Sequence, residues 1–288
     1  MRIMITDSGL GGLSVCAALE RQLLEEGLGG GIQIDYVNAT QDDAFGYNNL
    51  DTQAERIELF SHFLERASAR VSPDVILIAC NTLSVIYHET EFAQTTDIPV
   101  MGIVDAGVKL CDQALSGSPN SDLIIFATET TTEAGTYPKR ITSRSGKIIP
   151  CQCPGLAHAI SSDASGELAR KKLAPLVAEI GKSGLTDHVF AFMGCTHYGY
   201  QAQVFVEALA TSGVQASVLD PNTTLAEIFL ETFLRHVHGQ ADTGFNVQFT
   251  SRYPIPENQV SSLEAYLHAA APHTLSALKA QQVVPDLF

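Results

Sequence analysis

The chain has 288 residues, and the 45% that are apolar suffice for packed cores in two domains of ordinary size or one large domain. Its 32 acidic residues outnumber its 17 basic residues and give a formal net charge of −15, so no nucleic-acid partner is expected. The N-terminal apolar run is too short for a signal peptide, and no segment has the roughly 18 apolar residues of a membrane helix. We therefore expect a cytoplasmic protein with no membrane partner.

Short apolar runs rich in β-branched residues alternate with longer runs of helical period, a pattern that predicts a parallel α/β fold. Strands are predicted at 2–6, 32–37, 74–79, 99–104, 122–127, 188–193 and 216–220. Helices are predicted at 51–70, 164–182, 199–212 and 222–238. Because ligands bind at the carboxyl ends of parallel strands, functional residues are expected in the loops that follow the strands.

Two parts of the sequence resemble each other. The strand and polar turn at 3–12 correspond to those at 124–135, and IACNTLSV at 78–85 corresponds to MGCTHYGY in the segment that ends at 200. The two separations are similar, as a duplicated unit requires. The sequence therefore predicts two pseudo-symmetric, doubly wound α/β domains with mainly parallel sheets and an active site in the cleft between them. The first domain comprises 1–98 and 214–288, and the second comprises 99–213.

The first predicted strand ends in Asp7 and Ser8 and is followed by a glycine-rich turn. Such a turn into a helix can hold an anion through free backbone N–H groups. It does not match the dinucleotide fingerprint GxGxxG, because Ser14 stands where the third glycine belongs. A small carboxylate is thus a better guest than a nucleotide. The alternative is a structural turn in which Asp7 or Ser8 caps the helix.

Two cysteines occupy matching positions, because Cys80 and Cys195 each follow a buried strand and precede a helix start. There the positive end of the helix dipole favours a thiolate. Side chains that could orient a ligand follow the two sulfurs: Asn81 and Thr82, and Thr196 and His197. Either cysteine alone could be a buried structural residue, since free cysteine packs well in cores. Together they predict a pair of catalytic thiols.

Two thiols on opposite sides of one carbon suit the removal of a proton from one face and the delivery of a proton to the other. With a reference pKa of about 8.5, a thiol can act as base or acid near neutral pH, so the pair can exchange roles between turnovers. This chemistry requires no metal, no pyridoxal phosphate and no other cofactor. The remaining cysteines are interpreted as structural and reduced: Cys16, Cys111, Cys151 and Cys153. A metal role for the last two is a weaker alternative, because their spacing is not that of zinc sites.

Four segments resemble the motifs of the glutamate racemases, the cofactor-independent members of the aspartate/glutamate racemase superfamily. They are DSGLGGLSV, ACNTLSV, TETTTEAGTY and MGCTHYGY, and they follow the family's order along the chain. The resemblance implies two α/β domains with the active site between them, a small amino acid as the substrate, and a homodimer. It also implies interconversion of L- and D-glutamate, the D-enantiomer of which is used for peptidoglycan.

The resemblance further implies roles for single residues. Cys80 is implied as the base for the D-enantiomer and Cys195 as the base for the L-enantiomer. Asp7 is implied to assist the first thiol and His197 the second. Implied substrate contacts are Ser8, Gly46, Tyr47, Asn81, Thr82, Thr128, Thr131 or Thr132, and Thr196.

Two departures from the family pattern leave the substrate open. The family usually has Pro-Tyr-Gly where this chain reads AFGYNN, in the loop that holds the distal carboxylate of the substrate. Ser161 stands where the family commonly has a glutamate near the second thiol, and His158 close by could enter the cleft. One alternative is therefore a racemase or isomerase for aspartate or another small carboxylate. Another is a non-catalytic ligand-binding or regulatory protein, although binding alone does not require two thiols.

Overall fold

The computed structural model describes residues 1–43, 45–143, 146–234 and 244–288. Ten strands form two sheets within these ranges. The larger sheet contains β1 (Arg2–Asp7), β2 (Gln33–Asn38), β3 (Val75–Ile78), β4 (Val100–Gly102), β9 (Asn246–Ser251) and β10 (Gln282–Val283). The smaller sheet contains β5 (Asp122–Ala127), β6 (Ile148–Gln152), β7 (Val189–Gly194) and β8 (Ala216–Leu219). All strand pairs in these ranges are parallel, as predicted.

The two sheets share one order of strands. The larger sheet runs β10-β9-β2-β1-β3-β4, and the smaller runs β6-β5-β7-β8. The four strands β2-β1-β3-β4 therefore correspond one by one to β6-β5-β7-β8. In this correspondence β3 matches β7, so the segments that follow them, with Cys80 and Cys195, hold equivalent positions. The strand order thus supports the internal resemblance found in the sequence.

Helices cover both faces of the sheets. Their bounds are α1 (Leu13–Glu25), α2 (Gln53–Val71), α3 (Asn81–Ile86), α4 (Glu91–Thr95), α5 (Ile103–Gly117), α6 (Glu129–Ala134), α7 (Thr136–Arg140), α8 (Leu156–Ser162), α9 (Glu167–Ile180), α10 (Ala202–Thr211), α11 (Pro221–Phe229), α12 (Glu257–Leu267) and α13 (Pro272–Lys279). Single turns of 3-10 helix occur at Tyr47–Asn49, Tyr87–Glu89 and Gly181–Ser183, a longer 3-10 helix at Thr196–Gln201, and a π-helical turn at Leu230–Leu234. The end of the helix predicted at 222–238 lies outside the described residues. No helix in the described ranges has the length and apolar content needed to cross a bilayer.

Alternate residues of β1 enter different core layers. Ile3 and Ile5 pack in the layer that contains α1 and α11, whereas Met4 packs in the layer that contains α2. The strands β5 and β7 are buried along their whole length. Burial on both faces explains why these strands are continuous apolar runs, which is the pattern of a parallel sheet covered by helices.

The strands β4 and β8 belong to a different sheet from the one that the predicted domain boundaries assigned to them. β4 pairs with β3, with Ile76 opposite Val100, although the boundary at 98 assigned it to the second domain. β8 pairs with β7, with Ala191 opposite Val218, although the boundary at 213 assigned it to the first. Backbone pairing with the neighbouring strand decides the sheet to which each belongs. We therefore propose boundaries after β4 and after β8 in place of 98 and 213.

Candidate active site

One cavity of about 370 Å³ is lined by residues that follow strands of both sheets. Asp7 and Cys80 lie at the ends of β1 and β3, and Thr128 and Cys195 follow β5 and β7. Its wall contains the acidic residues Asp7, Asp43 and Glu129, and no Lys or Arg occurs among the described residues that line it. Any carboxylate that binds there must therefore be held by hydrogen-bond donors other than lysine or arginine.

Cys80 is the residue before α3 and is 5% exposed. Its Sγ lies 3.1 Å from Ser8 Oγ, and the backbone N–H groups of Leu83 and Ser8 also face the sulfur. Burial first and the nearby Asp7 carboxyl second raise the pKa of the Cys80 thiol to about 12, against the lowering effect of these donors. The thiol is thus protonated at neutral pH.

Cys195 precedes the 3-10 helix Thr196–Gln201 and is 7% exposed. Its Sγ lies 3.7 Å from Nδ1 of His197, and the backbone N–H of His197 lowers the thiol pKa. Burial outweighs that contact and raises the pKa of the Cys195 thiol well above its usual value. A thiolate at Cys80 would raise the pKa of the Cys195 thiol further, so ionisation of one sulfur disfavours ionisation of the other.

Asp7 and His197 are both buried, and burial disfavours the charged form of each. The pKa of Asp7 rises to about 7 because of burial, although Thr196 Oγ1 donates a 2.9 Å hydrogen bond to its Oδ2. Its Oδ1 has no hydrogen-bond partner among the described residues. The pKa of His197 falls to about 4, because of burial first and the nearby His158 second. His197 is therefore a neutral imidazole at neutral pH, and Asp7 is poised to gain or lose a proton.

Amide and hydroxyl groups line the wall between the two thiols. Asn81 Oδ1 accepts a hydrogen bond from the Tyr137 hydroxyl, which leaves Asn81 Nδ2 without a partner in the described part of the chain. Thr82 Oγ1 lies 2.9 Å from Thr128 Oγ1, so these two side chains meet across the cleft. Buried polar groups that lack a partner are costly, which makes Asn81 Nδ2 a donor available to a ligand.

The alternative Thr131 or Thr132 takes a supporting position. Thr131 Oγ1 accepts a 3.1 Å hydrogen bond from Thr128, and Thr132 Oγ1 donates to the Thr128 carbonyl within α6. Neither is among the described residues that line the cavity, whereas Thr128 is. Both threonines therefore orient Thr128, and only Thr128 reaches the cavity.

The loop at 45–49 also lines the cavity. Gly46 has extended backbone angles, and Tyr47 is a buried residue whose ring packs edge-on against Phe60 at 6.3 Å. Arg56 Nε donates a 2.8 Å hydrogen bond to the Tyr47 carbonyl and fixes the loop to α2. Asn48 and Asn49 complete this part of the wall. Gly46 and Tyr47 are therefore present at the cavity despite the altered motif.

Several cavity residues were not predicted as site residues. They include Thr40, Asp43, Asn48, Asn49, Glu129, Tyr253 and Gln259. Asn48 and Asn49 belong to a loop that the sequence did mark, but Tyr253 and Gln259 come from the C-terminal part, where no motif points to a site. Ser161 and His158 both line the cavity, as their positions in the sequence suggested.

The remaining cysteines have other surroundings. All six cysteines are free thiols. Cys16 and Cys111 are core residues, and Cys153 Sγ lies 3.5 Å from the Cys151 carbonyl, with Cys153 also on the cavity wall. Among the residues described, no three His, Cys, Asp or Glu side chains are grouped so that they could hold a metal ion.

Comparison with known proteins adds an independent observation. The family model for Asp/Glu/Hydantoin racemase matches residues 5–229. The chain is 28% identical over 240 residues to a glutamate racemase of Lysinibacillus sphaericus, covering 78% of this chain and 83% of the relative. It is 29% identical over 257 residues to a glutamate racemase of Exiguobacterium sibiricum, covering 84% and 88%.

A solved structure shares the whole architecture. The crystal structure of the Francisella tularensis glutamate racemase in complex with D-glutamate superposes with a TM-score of 0.76 at 21% identity. The superposition covers 100% of this chain and 98% of that one. At this level of identity the likeness concerns the fold, including both sheets.

Proposed function

The chain belongs to the Asp/Glu/Hydantoin racemase family, and from that premise we propose that it interconverts L- and D-glutamate by proton transfer between Cys80 and Cys195. Membership makes the protein an isomerase of the racemase type, so the alternative of a non-catalytic binding protein is dropped. The identity of the amino acid and the roles of the two thiols are our proposal. One observation carries it, namely that equivalent strands of two sheets each end in a cysteine on the wall of a single cavity.

The proposed reaction moves one proton at each face of Cα. The Cys80 thiolate removes the Cα proton of the D-enantiomer, and the electron pair of that C–H bond remains on the substrate as a carbanion. The Cys195 thiol then delivers its proton to the opposite face, which gives the L-enantiomer and leaves Cys195 as the thiolate. The reverse direction exchanges the roles of the two sulfurs.

Asp7 supports the formation of the Cys80 thiolate. Transfer of the Cys80 proton to a carboxyl with the ordinary pKa of 3.8 would be opposed by the whole difference between that pKa and the thiol pKa of about 12. Burial raises the pKa of Asp7 to about 7 and removes about 4 kcal/mol of that opposition. We propose that Asp7 accepts this proton when the ammonium group of the substrate lies closer to the Cys80 sulfur than to the carboxyl and stabilises the thiolate.

Groups near each sulfur favour its thiolate form. The backbone N–H groups of Ser8 and Leu83 face the Cys80 sulfur, and the backbone N–H of His197 faces the Cys195 sulfur. We propose that the neutral His197 ring, 3.7 Å from the Cys195 sulfur, assists that thiol by sharing a proton with it. Such N–H groups cost no reorganisation at the moment of reaction, because the fold already holds them in position.

The carboxylates of glutamate are assigned to neutral donors. Asn81 Nδ2 lacks a partner in the described structure, and Thr82, Thr128 and Thr196 lie beside it on the cavity wall. We propose that Asn81 Nδ2, with Ser8, holds the α-carboxylate and so stabilises the charge that develops next to it. The hydroxyls of Thr82, Thr128 and Thr196 donate to Thr128, Thr131 and Asp7 in this structure, and we propose that they turn towards the carboxylate when the substrate binds. The distal carboxylate is assigned to the loop at 45–49, through Gly46 and Tyr47.

Deuterium incorporation tests the two-thiol mechanism. In deuterated water the wild-type enzyme is expected to place one deuteron at Cα of each product molecule. The variants Cys80→Ala and Cys195→Ala are expected to lose at least a hundredfold of the interconversion rate, a loss typical of acid or base removal. Cys111→Ala is the matched control, because Cys111 is a buried core cysteine in α5 outside the cavity. Interconversion that survives in either cavity variant at the wild-type rate would disprove the mechanism.

A second measurement tests the substrate. The initial rates with both enantiomers of glutamate and of aspartate are compared at equal concentrations. Glutamate is expected to have the higher kcat/KM, while a preference for aspartate would replace glutamate as the substrate and leave the thiol mechanism in force. No turnover of glutamate would reject the proposed substrate.

A further inference from the structure

The loop at 45–49 is attached to the larger sheet's side of the cavity at two points. The Tyr47 ring is buried against Phe60 of α2, and Arg56 of the same helix donates hydrogen bonds to the carbonyls of Tyr47 and Leu50. The Asn49 N–H also donates a 2.8 Å hydrogen bond to the Gly46 carbonyl, which closes the turn. The loop is thus built on α2 and does not depend on the other half of the molecule for its shape.

Asn48 is the residue of this loop that reaches the other side of the cleft. Its Oδ1 accepts a 2.7 Å hydrogen bond from Thr130 Oγ1 and a 3.3 Å hydrogen bond from the Thr130 N–H. Thr130 lies in α6, directly after the cavity residues Thr128 and Glu129, and is 6% exposed. One amide oxygen therefore receives two donors from one residue across the cleft.

Two further contacts join the same parts of the molecule. Thr82 meets Thr128 at 2.9 Å, and the Tyr137 hydroxyl donates to Asn81. These contacts involve the two residues that follow Cys80, whereas the contact of Asn48 with Thr130 lies at the loop 45–49 on the cavity wall. Among the hydrogen bonds of the described residues, the Asn48 contact is consequently the one that ties the loop to α6.

We propose that Asn48 and Thr130 form a latch that holds the loop at 45–49 over the bound amino acid and closes the cavity. Both are positioning residues, because they act through the loop and not on the reacting atoms. The proposal rests on the proposed function for the identity of the ligand, but not for the closure itself. It also assigns a purpose to the altered motif AFGYNN, since its Asn48 supplies the acceptor of the latch.

Alkylation of the cavity thiols by iodoacetamide tests the latch without any substrate. Peptide mass spectrometry follows the rate at each cysteine in the wild type, Thr130→Val and Thr130→Ser. Valine keeps the shape of threonine but lacks the hydroxyl donor, whereas serine keeps the donor. Loss of one such hydrogen bond corresponds to about a fivefold shift in an opening equilibrium. Alkylation of Cys80 and Cys195 is therefore expected to accelerate about fivefold in Thr130→Val and to stay near the wild-type rate in Thr130→Ser.

Internal and external controls separate the latch from general loosening. Cys16 and Cys111 lie in the cores and are expected to react slowly in every variant. Thr211→Val removes a hydroxyl that donates to the Ala208 carbonyl at the surface of α10, and it is expected to leave all rates unchanged. Equal rates at Cys80 and Cys195 in Thr130→Val and the wild type would overturn the proposal. So would a parallel acceleration at Cys16 and Cys111, or identical behaviour of the valine and serine variants.

Glutamate in the same reaction tests the proposed substrate separately. Bound glutamate is expected to slow the alkylation of both cavity thiols in the wild type and to do so less effectively in Thr130→Val. If glutamate gives no protection while Thr130→Val still accelerates alkylation, the latch stands and the proposed substrate fails. If glutamate protects the wild type and Thr130→Val equally and the rates do not differ, the latch fails and the proposed substrate stands.

Discussion

Thr196 Oγ1 donates a 2.9 Å hydrogen bond to Oδ2 of Asp7, and this bond joins the segment that follows one cavity thiol to the carboxyl beside the other. Thr196 is 1% exposed and Asp7 is equally buried. Because this hydrogen bond is buried, it holds Thr196 and Asp7 at a fixed separation. A change in the charge of Asp7 therefore affects the segment that follows Cys195.

The raised pKa of Asp7 predicts a pH-dependent gain in stability for Asp7→Asn. The folded protein shifts this pKa from 3.8 to about 7, so the folding penalty of the charged form is absent below pH 3.8 and complete above pH 7. Asparagine removes that penalty. The difference in free energy of unfolding between Asp7→Asn and the wild type should therefore grow by about 2 to 3 kcal/mol from pH 5 to pH 8. Urea unfolding at both pH values measures it, and parallel pH profiles would contradict the shift.

His197 should remain neutral over the working range of the enzyme. Its pKa is lowered from 6.5 to about 4 by burial, so its imidazole carries no charge above about pH 5. NMR of the ring Cε1–H, assigned by comparison with His197→Asn, should show no shift of the size that imidazole protonation causes between pH 6 and pH 9, and only a smaller change as Asp7 titrates near pH 7. A midpoint near 6.5 would mean that the ring is in contact with water.

Replacement of His197 should affect the Cys195 side of the reaction. We expect His197→Asn to lower kcat/KM about a hundredfold. The loss must be equal in both directions, because the two enantiomers have the same free energy. Isotope effects therefore identify the thiol whose proton-transfer step is slowed. The primary isotope effect of the Cα-deuterated L-enantiomer should increase more than that of the D-enantiomer, because Cys195 removes the proton of the L-enantiomer. An equal change in both isotope effects would argue against a role specific to Cys195.

Gly11 should tolerate no side chain. A Cβ at this position would lie 2.7 Å from the backbone N of His197 and would also meet Thr196 Oγ1 and the His197 ring. Gly11→Ala is expected to cost about 1 to 3 kcal/mol of unfolding free energy and most of the activity. Gly117→Ala is the control, because nothing lies within 4 Å of a Cβ at the end of α5. Thermal unfolding and racemisation assays compare the two variants, and similar results for both would refute the close contact.

Glu20 should contribute to stability alone. Its fully buried carboxylate accepts hydrogen bonds from the His273 N–H, the Thr274 N–H and Thr274 Oγ1, at 2.7 to 2.9 Å, and so caps α13. Glu20→Gln should lower the unfolding free energy by about 2 to 4 kcal/mol. Glu264→Gln, which breaks the exposed pair with Lys279, should cost less than about 1 kcal/mol. Unchanged KM values in both variants are part of the expectation, and an altered KM in Glu20→Gln would connect α13 to the cavity.

The sequence was most informative where the strands are buried on both faces. Each of the seven predicted strands is present, because continuous β-branched runs such as those of β1 and β5 have few other structures open to them. β6 was missed, since Pro150, Cys151 and Gln152 interrupt its apolar pattern. β9 and β10 were missed as well, and both lie towards the edge of the larger sheet, where half-exposed residues blur the pattern.

The site could be predicted in part for a similar reason. Cys80 and Cys195 were found because each follows a buried strand, and a buried strand can be recognised from the apolar run directly before the cysteine. Asn48 could not be identified, because its partner Thr130 is 82 residues away and only the packing of the two halves joins them. The supporting position of Thr131 likewise depends on the rotation of α6 about its axis, and a sequence motif does not specify that rotation.

The order of the strands along the chain has a consequence for synthesis on the ribosome. The smaller sheet is made from one continuous stretch and can form as soon as β8 has emerged, whereas β9 and β10 complete the larger sheet only near the end of translation. Tyr253 and Gln259 of the cavity wall also arrive in that last segment. A nascent or truncated chain that lacks this segment would thus carry Cys80 and Cys195 on an unfinished cavity wall.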